Sequence, residues 1–530
     1  MPLHLPGNAH LVDRRLFLAG TAAVSAAATL AVTPATRADA AAVSARPVGD
    51  PFTLGVASGD PTPTGVVLWT RLAPKPFEPD GGMPPGHAVV EWRIATDSGM
   101  RNIVLGGTAH APAELGRSVH VEAEGLQPES EYFYEFKFRS HVSPTGRTKT
   151  LPAPGADVQQ LDFAFVSCQK WDDGFFPSYR HMASEDLDLV VHLGDYVYEY
   201  GMSPSGGLRR TPVPAAAQPA PQTLEQWRAR YALYKSDPDL QAAHARFPFV
   251  VTWDDHEVKN DYAGGWEGQT AAFTAVRAAA YMAYYEHQPL RARSLPRGTD
   301  MQLYRRLRYG RLAQLDMLDG RQYRDAPPCG WGEAPACEAA YDPSISMLGS
   351  AQERWLYDGL RTAGVRWNIL GNNVMVSRLD HDGVEGELLW HDAWDGFPAA
   401  RKRLLDVIAE PSVRNAVFVT GDWHSTFVND VHLDFDRPGS PVVATEFVGT
   451  SVSTNGDRAV YGPYYGPMIG FNPHIRFFDG DRRGYVRCRV TPERWRTEFR
   501  MATSVATRDA GQYTHAAFEI EDGRPGAVRV

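Results

Sequence analysis

The chain has 530 residues, a formal net charge of -10 and 4 cysteines. That acidic balance argues against a nucleic-acid partner or a general affinity for anionic membranes, since phosphate-rich surfaces recruit basic proteins. Hydrophobic residues at 43% and charged residues at 22% are ordinary for a globular protein, and so few cysteines exclude a disulfide scaffold.

Residues 1–40 read as a twin-arginine export signal. Arg14-Arg15 precede Leu16-Phe17-Leu18 and an Ala-rich apolar stretch to about Val32, with Ala38-Asp39-Ala40 as the cleavage site. Thr and Ser interrupt that stretch and Pro34 ends it, which disfavours a transmembrane helix, and no later segment is long and apolar enough to span a bilayer. The expectation is a periplasmic or secreted protein with the twin-arginine translocation machinery as a transit partner. The remaining length, roughly 490 residues, exceeds one ordinary core and predicts two domains.

Residues 50–150 predict an all-β domain. Val66-Val67-Leu68-Trp69-Thr70, Ala88-Val89-Val90-Glu91-Trp92-Arg93 and Ser118-Val119-His120-Val121-Glu122 are short β-rich runs between turns. Tyr132, in a cleanly alternating run, is placed like the tyrosine corner of immunoglobulin-like and fibronectin-like sandwiches. A Pro/Gly-rich linker is expected around Leu151-Pro152-Ala153-Pro154-Gly155.

From residue 158 onward, strand, loop and helix alternate, which predicts a layered α/β domain to residue 530. Leu161 to Val166 alternates and leads to Cys168. The apolar run Leu187 to Leu193 reads as a buried strand ending in Gly194-Asp195-Tyr196-Val197-Tyr198-Glu199. Residues just past such a strand lie at the sheet's carboxyl edge, where α/β enzymes keep their sites. Asp195 offers a bridging carboxylate and Tyr198 a phenolate, a hard anionic ligand suited to Fe(III).

A Pro/Ala-rich stretch from Ser203 to Pro221 predicts a mobile surface loop. A helix should come next, with a Thr223/Gln226 capping box and Leu224, Trp227, Tyr231 and Tyr234 on its buried face. The strand Phe249 to Trp253 ends in Asp254-Asp255-His256-Glu257, a run that would repel itself if buried without a cation. There Asp255 could coordinate, and His256 could protonate a leaving oxygen. Cys329 and Cys337 share one loop, either as a disulfide closed after export or as two loop thiols. Ser350 and Glu353 have capping-box spacing for a helix running to Gly364, and the next strand ends in Gly371-Asn372-Asn373, where Asn373 offers an amide oxygen. Ala416 to Thr420 ends in Gly421-Asp422-Trp423-His424, and extended backbone would point Asp422 and His424 the same way. Cys488 alternates with Val486 and Val490 and reads as core, with pairing to Cys168 left open.

Gly194-Asp195…Tyr198, Asp254-Asp255-His256-Glu257 and Gly421-Asp422-Trp423-His424, in that order, resemble a variant of the metallophosphoesterase motif series. The variant is that of the alkaline phosphatase D family. Val56-Ala57-Ser58-Gly59-Asp60-Pro61, Leu318-Asp319-Gly320-Arg321-Gln322-Tyr323-Arg324 and Ala444-Thr445-Glu446-Phe447-Val448-Gly449-Thr450-Ser451 carry the same resemblance. It implies a four-layer αββα catalytic domain preceded by the immunoglobulin/fibronectin-like sandwich. It also implies Fe(III) on Cys168, Asp195, Tyr198 and His424, and one or more Ca(II) ions on Asp195, Asp255 and Asp422 with Asn373.

Through the resemblance the expected activity is hydrolysis of phosphate monoesters, with His256 as the proton donor and Arg321 and Lys170 as candidate phosphate contacts. The alternatives are a phosphodiesterase or phospholipase D-type hydrolase on the same site, a metallohydrolase acting on carboxylic esters or lactones, and an exported binding module with structural metals. Small phosphate esters, phospholipids or other phosphodiesters are the corresponding partners.

Overall fold

Branched and aromatic runs in the N-terminal part build short strands. The computed structural model describes residues 49–264, 270–384, 387–437 and 439–530, so the export signal lies outside the described residues. The strands are β1 (Val56–Thr62), β2 (Gly65–Arg71), β3 (Val89–Ala95), β4 (Ile103–His110), β5 (Ser118–Glu124), β6 (Glu131–Phe138), β7 (His141–Val142) and β8 (Gly146–Lys149). One sheet runs β4-β3-β6-β7, with β8 also on β6. Its Val90, Ile94, Tyr134 and Phe136 share an apolar cluster with Val56, Leu68, Val119 and Val121 of β1, β2 and β5. The Tyr132 hydroxyl accepts the Gln127 N–H at 3.0 Å.

The next strands, β9 (Leu161–Val166), β10 (Leu189–Leu193) and β11 (Pro248–Thr252), run parallel with every residue buried. β1 continues this sheet, pairing in parallel with β11 so that Ser58 lies opposite Pro248 and Gly59 opposite Phe249. A Cβ on Gly59 would come within 2.5 Å of the Phe249 carbonyl, so only glycine permits that approach. The N-terminal strands are thus shared between sheets: β1, β2 and β5 form the flank of the larger one.

Helices α1 (Pro177–Met182), α2 (Leu224–Lys235), α3 (Pro238–Arg246) and α4 (Ala271–His287) belong to this half of the chain. α2 begins at the expected Thr223/Gln226 capping box. Its Trp227, Tyr231 and Tyr234 join Leu240, Tyr281 and Tyr284 against Val190, Phe249 and Val251 of the sheet. The Ser203–Pro221 stretch is tied down. Arg209 pairs with Asp237 at 2.7 Å, and Arg230 donates to the Pro219 carbonyl at 2.9 Å.

A second sheet takes β12 (Arg305–Tyr309), β13 (Ala313–Met317), β15 (Trp367–Asn372), β17 (Ala416–Thr420), β18 (Thr426–His432), β19 (Val442–Val448) and β20 (Ile475–Asp479). Short β14 (Glu333–Ala334) and β16 (Leu389–Trp390) pair separately. The chain then returns to the first sheet as β21 (Gly484–Val490), β22 (Arg494–Ala502), β23 (Gln512–Glu521) and β24 (Arg524–Arg529), making it ten-stranded. Phe163, Val191 and Leu193 of one sheet meet Met317, Ile369 and Val419 of the other in a shared apolar cluster. On the far side of the second sheet, Leu370 and Phe418 pack against Leu356 and Leu360 of α5 (Ser350–Thr362) and Leu404 of α6 (Pro398–Ile408).

α5 departs from expectation at its start. Ser350 is already helical, and no side chain caps the helix. The residue that engages Glu353 is Ser346 instead: its Oγ accepts the Gly349 N–H at 2.8 Å, just before the helix, and donates to Glu353 Oε1 at 2.6 Å. Cys329 and Cys337 are joined as a disulfide, whereas Cys168 and Cys488 are free and buried.

Candidate metal centre

The carboxyl ends of β9, β10, β11, β15 and β17 meet at one place. The turns leaving three of them are strained: Cys168 (φ 59°), Asp195 (φ 56°), Asp422 (φ 65°) and His424 (φ 49°) all have left-handed backbone. Non-glycine residues adopt that conformation at a cost of order 1–3 kcal/mol each, and such residues gather at functional sites. The expectation that Asp422 and His424 converge through extended backbone is thus corrected. They converge through two left-handed residues around Trp423. Gly194 (φ 108°) gives β10 room to turn, since a Cβ there would sit 2.4 Å from Asp254 Cβ.

Candidate donor atoms fall within 4.8 Å of one another in overlapping groups: Cys168, Asp195 and His424; Asp195, Asp255 and His256; and Asp254, Asp255 and Asp422. Asp195 and Asp255 each belong to two of them, so the groups run continuously from a nitrogen- and sulfur-bearing end at Cys168 and His424 to an all-oxygen end at Asp254 and Asp422. Tyr198 Oη lies 2.8 Å from Asp195 Oδ2, 3.3 Å from His424 Nε2 and 2.8 Å from Thr454 Oγ1. Asn373 reaches the oxygen end, with Nδ2 donating to Asp254 Oδ1 at 2.6 Å.

The donor set fits cations. Asp195 Oδ1, Asp254 Oδ2, Asp255 Oδ1 and Asn373 Oδ1 are buried and lack hydrogen-bond partners, a costly state for oxygens facing one another. Burial raises the Cys168 thiol well above its ordinary value, and the Asp195 and Asp422 charges add to it. Burial likewise raises Asp195 and Asp422, with neighbouring carboxylates adding to both. For Tyr198, burial and then Asp195 and Cys168 disfavour the phenolate. Each anionic form is therefore expensive until a positive charge enters. His424 is suited to donate a lone pair: burial, then Arg483 and His256, push it down to about 3, so its imidazole is neutral.

Glu257 is a bracket, accepting the Asp195 N–H at 3.1 Å, the Tyr196 N–H at 2.6 Å and the Asp254 N–H at 2.9 Å. Burial and neighbouring carboxylates hold its pKa up at about 8, against the backbone donors. His256 is buried, with Nδ1 2.8 Å from Glu199 Oε2 and its ring 4.2 Å from the Tyr198 ring.

Two expected phosphate contacts are placed otherwise. Arg321 is fully buried, with Nε on Asp254 and Nη1 2.8 Å from Asp392, so it serves as a counter-charge among the site carboxylates. Lys170 is partly exposed, but its Nζ is held 3.1 Å from Asp173. The site also contains Asp254, Glu199, Thr454 and Asp392, to which the sequence assigns no role. Asp254 and Glu199 each adjoin a residue that it does mark, whereas nothing local marks Thr454 or Asp392.

Comparison with known proteins identifies the family. A model described as PhoD-like phosphatase matches residues 163–499, and one described as PhoD-like phosphatase, N-terminal domain, matches residues 37–152. The chain is 44% identical over 527 residues to alkaline phosphatase D of Bacillus subtilis (strain 168), covering 98% of this chain and 89% of that protein. A solved structure described as "Structure of PhoD" superposes with a TM-score of 0.86 at 45% identity, over 91% of this chain and 92% of that one. A partial similarity, 24% over 181 residues, links 34% of the chain to 37% of purple acid phosphatase 23 of Arabidopsis thaliana. With a family model spanning most of its length and a near-complete alignment to a curated relative, the chain belongs to the PhoD-like phosphatase family.

Proposed function

We propose that this protein is an exported, metal-dependent phosphatase that hydrolyses phosphate monoesters. The observation that carries the metal dependence is the ring of partnerless buried oxygens on Asp195, Asp254, Asp255 and Asn373 beside Cys168 and His424. In this reading Cys168, Asp195, Tyr198 and His424 would hold Fe(III). Asp195, Asp255 and Asp422, with Asn373 and also Asp254, would hold Ca(II). A thiolate and a phenolate suit the first ion, and oxygen-only donors suit the second. The partial similarity to a purple acid phosphatase accords with the phenolate.

Bound there, such cations neutralise phosphate oxygens and make an attacking water more acidic. The chain's own residues do the rest. Glu199 takes the Nδ1 side of His256, leaving Nε2 free to give a proton to the departing alkoxide. Tyr198 packs on the His256 ring and limits its swing. Burial disfavours a charged His256, but Asp255, Asp195 and Glu199 outweigh it and hold the imidazole protonated well above its ordinary range.

The same reading assigns residues 1–40 to the twin-arginine signal, 50–150 to an immunoglobulin-like N-terminal domain and 158–530 to a four-layer αββα catalytic domain. The Tyr132–Gln127 contact and the separate apolar clusters on both faces of the second sheet support those assignments. No helix among the described residues is long and apolar enough to cross a membrane.

The test is elemental analysis of the purified protein together with phosphate release from a panel of monoesters and diesters. Iron with calcium, and loss of turnover in His256→Ala at unchanged metal content, support the reading. Zinc or manganese alone would remove the Cys168 and Tyr198 assignments. Preferential cleavage of diesters would replace the monoesterase with a phosphodiesterase, and failure of inorganic phosphate to appear from any monoester would remove the monoesterase.

A further inference from the structure

The stretch Leu318-Asp319-Gly320-Arg321-Gln322-Tyr323-Arg324 folds directly beneath the oxygen end of the site. Asp319, fully buried, accepts the backbone N–H groups of Arg321 and Gln322 at 3.1 and 2.9 Å and the Trp253 indole N–H at 2.9 Å. That turn aims Arg321 between Asp254 and Asp392. Asp254 Oδ1 is consumed by Arg321 Nε and Asn373 Nδ2, which leaves Oδ2 partnerless toward the site. Arg321 Nη2 has no hydrogen-bond partner and sits 4.0 Å from Asp255 Oδ2. On the other side Asp392 takes Arg321 Nη1 at 2.8 Å and pairs with Arg324, which also donates to the Asp392 carbonyl at 2.8 Å.

Asp392 is anchored from outside the site. It lies just past β16, which pairs with β14 inside the loop that the Cys329–Cys337 disulfide closes. Within that loop the Gly330 carbonyl lies 3.2 Å from His391 Nδ1, and the Gly332 carbonyl accepts the His391 N–H at 3.1 Å. The Trp331 ring lies 5.3 Å from the Arg324 guanidinium. A continuous set of contacts thus runs from the disulfide loop through His391 and Asp392 to Arg321 and the site carboxylates.

We propose that Asp392, held by the loop that Cys329 and Cys337 close, is a positioning residue that sets cation affinity at the oxygen end of the site. Arg321 pairs with both Asp254 and Asp392, and its attraction is divided between them. Without Asp392 the whole guanidinium charge turns to Asp254 and Asp255. Nη2 then closes the gap to Asp255, and Arg321 competes with a metal ion for the same oxygens. A buried arginine that loses one partner seeks another, because an unpaired charge in that environment is costly.

The inference rests on reading the oxygen end as a metal site, so the experiment tests both. Full-length protein is prepared as the parent, as Asp392→Asn, as the Cys329→Ser/Cys337→Ser pair and as Asp255→Ala. Iron content, calcium affinity by titration and thermal unfolding in excess calcium are measured on each. Asp392→Asn is expected to weaken calcium about 10- to 100-fold, the usual range for an outer-shell partner, with iron content as in the parent. The cysteine pair should shift calcium affinity in the same direction by less, and add nothing further when combined with Asp392→Asn. Parent-like calcium affinity in Asp392→Asn, with or without a lowered unfolding temperature, overturns the proposal while Asp255→Ala still loses calcium. Parent-like calcium binding in Asp255→Ala as well overturns the metal reading itself. If Asp392→Asn does not accumulate as folded protein, Asp392→Glu and the cysteine pair decide: unchanged calcium affinity in both overturns the relay.

Discussion

His256 Nδ1 and Glu199 Oε2 lie 2.8 Å apart, and the second Glu199 oxygen accepts the Asn260 N–H at 2.9 Å. The carboxylate is thus fixed at both oxygens and dictates which imidazole nitrogen faces the substrate. Glu199→Gln keeps the shape but not the charge. It should lower kcat by about 100-fold, the lower edge of the range for general acid catalysis, with KM little changed. Steady-state kinetics decides this, and a KM effect alone would make Glu199 a substrate contact.

A phenolate on Fe(III) absorbs visible light, so the Tyr198 assignment has an optical consequence. The purified protein should be coloured, and Tyr198→Phe should bleach it while iron remains detectable by elemental analysis. A variant that keeps the parent spectrum would place the phenol outside the ligand set, as a hydrogen-bond donor to Asp195 only.

Arg209 is buried against Asp237 at 2.7 Å, with Trp171 and Phe176 4.4 and 4.5 Å from its guanidinium. Arg209→Ala strands the Asp237 charge in the interior, which costs about 3–5 kcal/mol. Arg508, 3.7 Å from the same carboxylate, should bring the loss toward the lower figure. Denaturant unfolding measures it. Assays with paired monoesters and diesters would also report whether the freed Ser203–Pro221 segment alters which ester fits.

Burial depresses His192 to about 3 and His474 to about 4, with nearby cationic groups adding to it. Both stay neutral in the folded chain while the unfolded chain takes up protons below about pH 6.5. The unfolded state then binds more protons, so stability falls with falling pH, from about 6.5 down through the folded values. Each histidine contributes about 1.4 kcal/mol per pH unit across that window. His474→Gln should flatten the dependence of the unfolding temperature between pH 6 and about 4, and an unchanged slope would show that His474 is protonated in the fold.

The strand ends are legible in the sequence because long apolar runs of Val, Leu and Phe bounded by glycine leave little choice of structure, and Cys168, Asp195, Asp255, Asp422 and His424 sit where those runs stop. Pairing partners are not legible. Nothing in Val56-Ala57-Ser58-Gly59 says that it will lie beside Phe249 instead of closing a separate sandwich, since a strand's neighbour is chosen by tertiary packing. Arg321 reads as a phosphate contact because its charge is visible in the sequence and its burial is not. Asp392 escapes notice for the related reason that its partners are some seventy positions away, at Arg321 and Arg324. The Ser350 cap fails because the helix already includes Ser350, and Glu353 takes the Ser346 hydroxyl instead.

The parallel seam between β1 and β11 makes the first hundred or so residues part of the sheet that carries the site. β11 cannot be a protected strand without β1 beside it, and a chain lacking the N-terminal strands would present an unpaired row of backbone donors and acceptors to any passing chain. The part with no candidate chemistry of its own thereby completes the hydrogen bonding of the sheet that carries the site, and shortening the protein from that end should yield aggregates in place of a smaller enzyme.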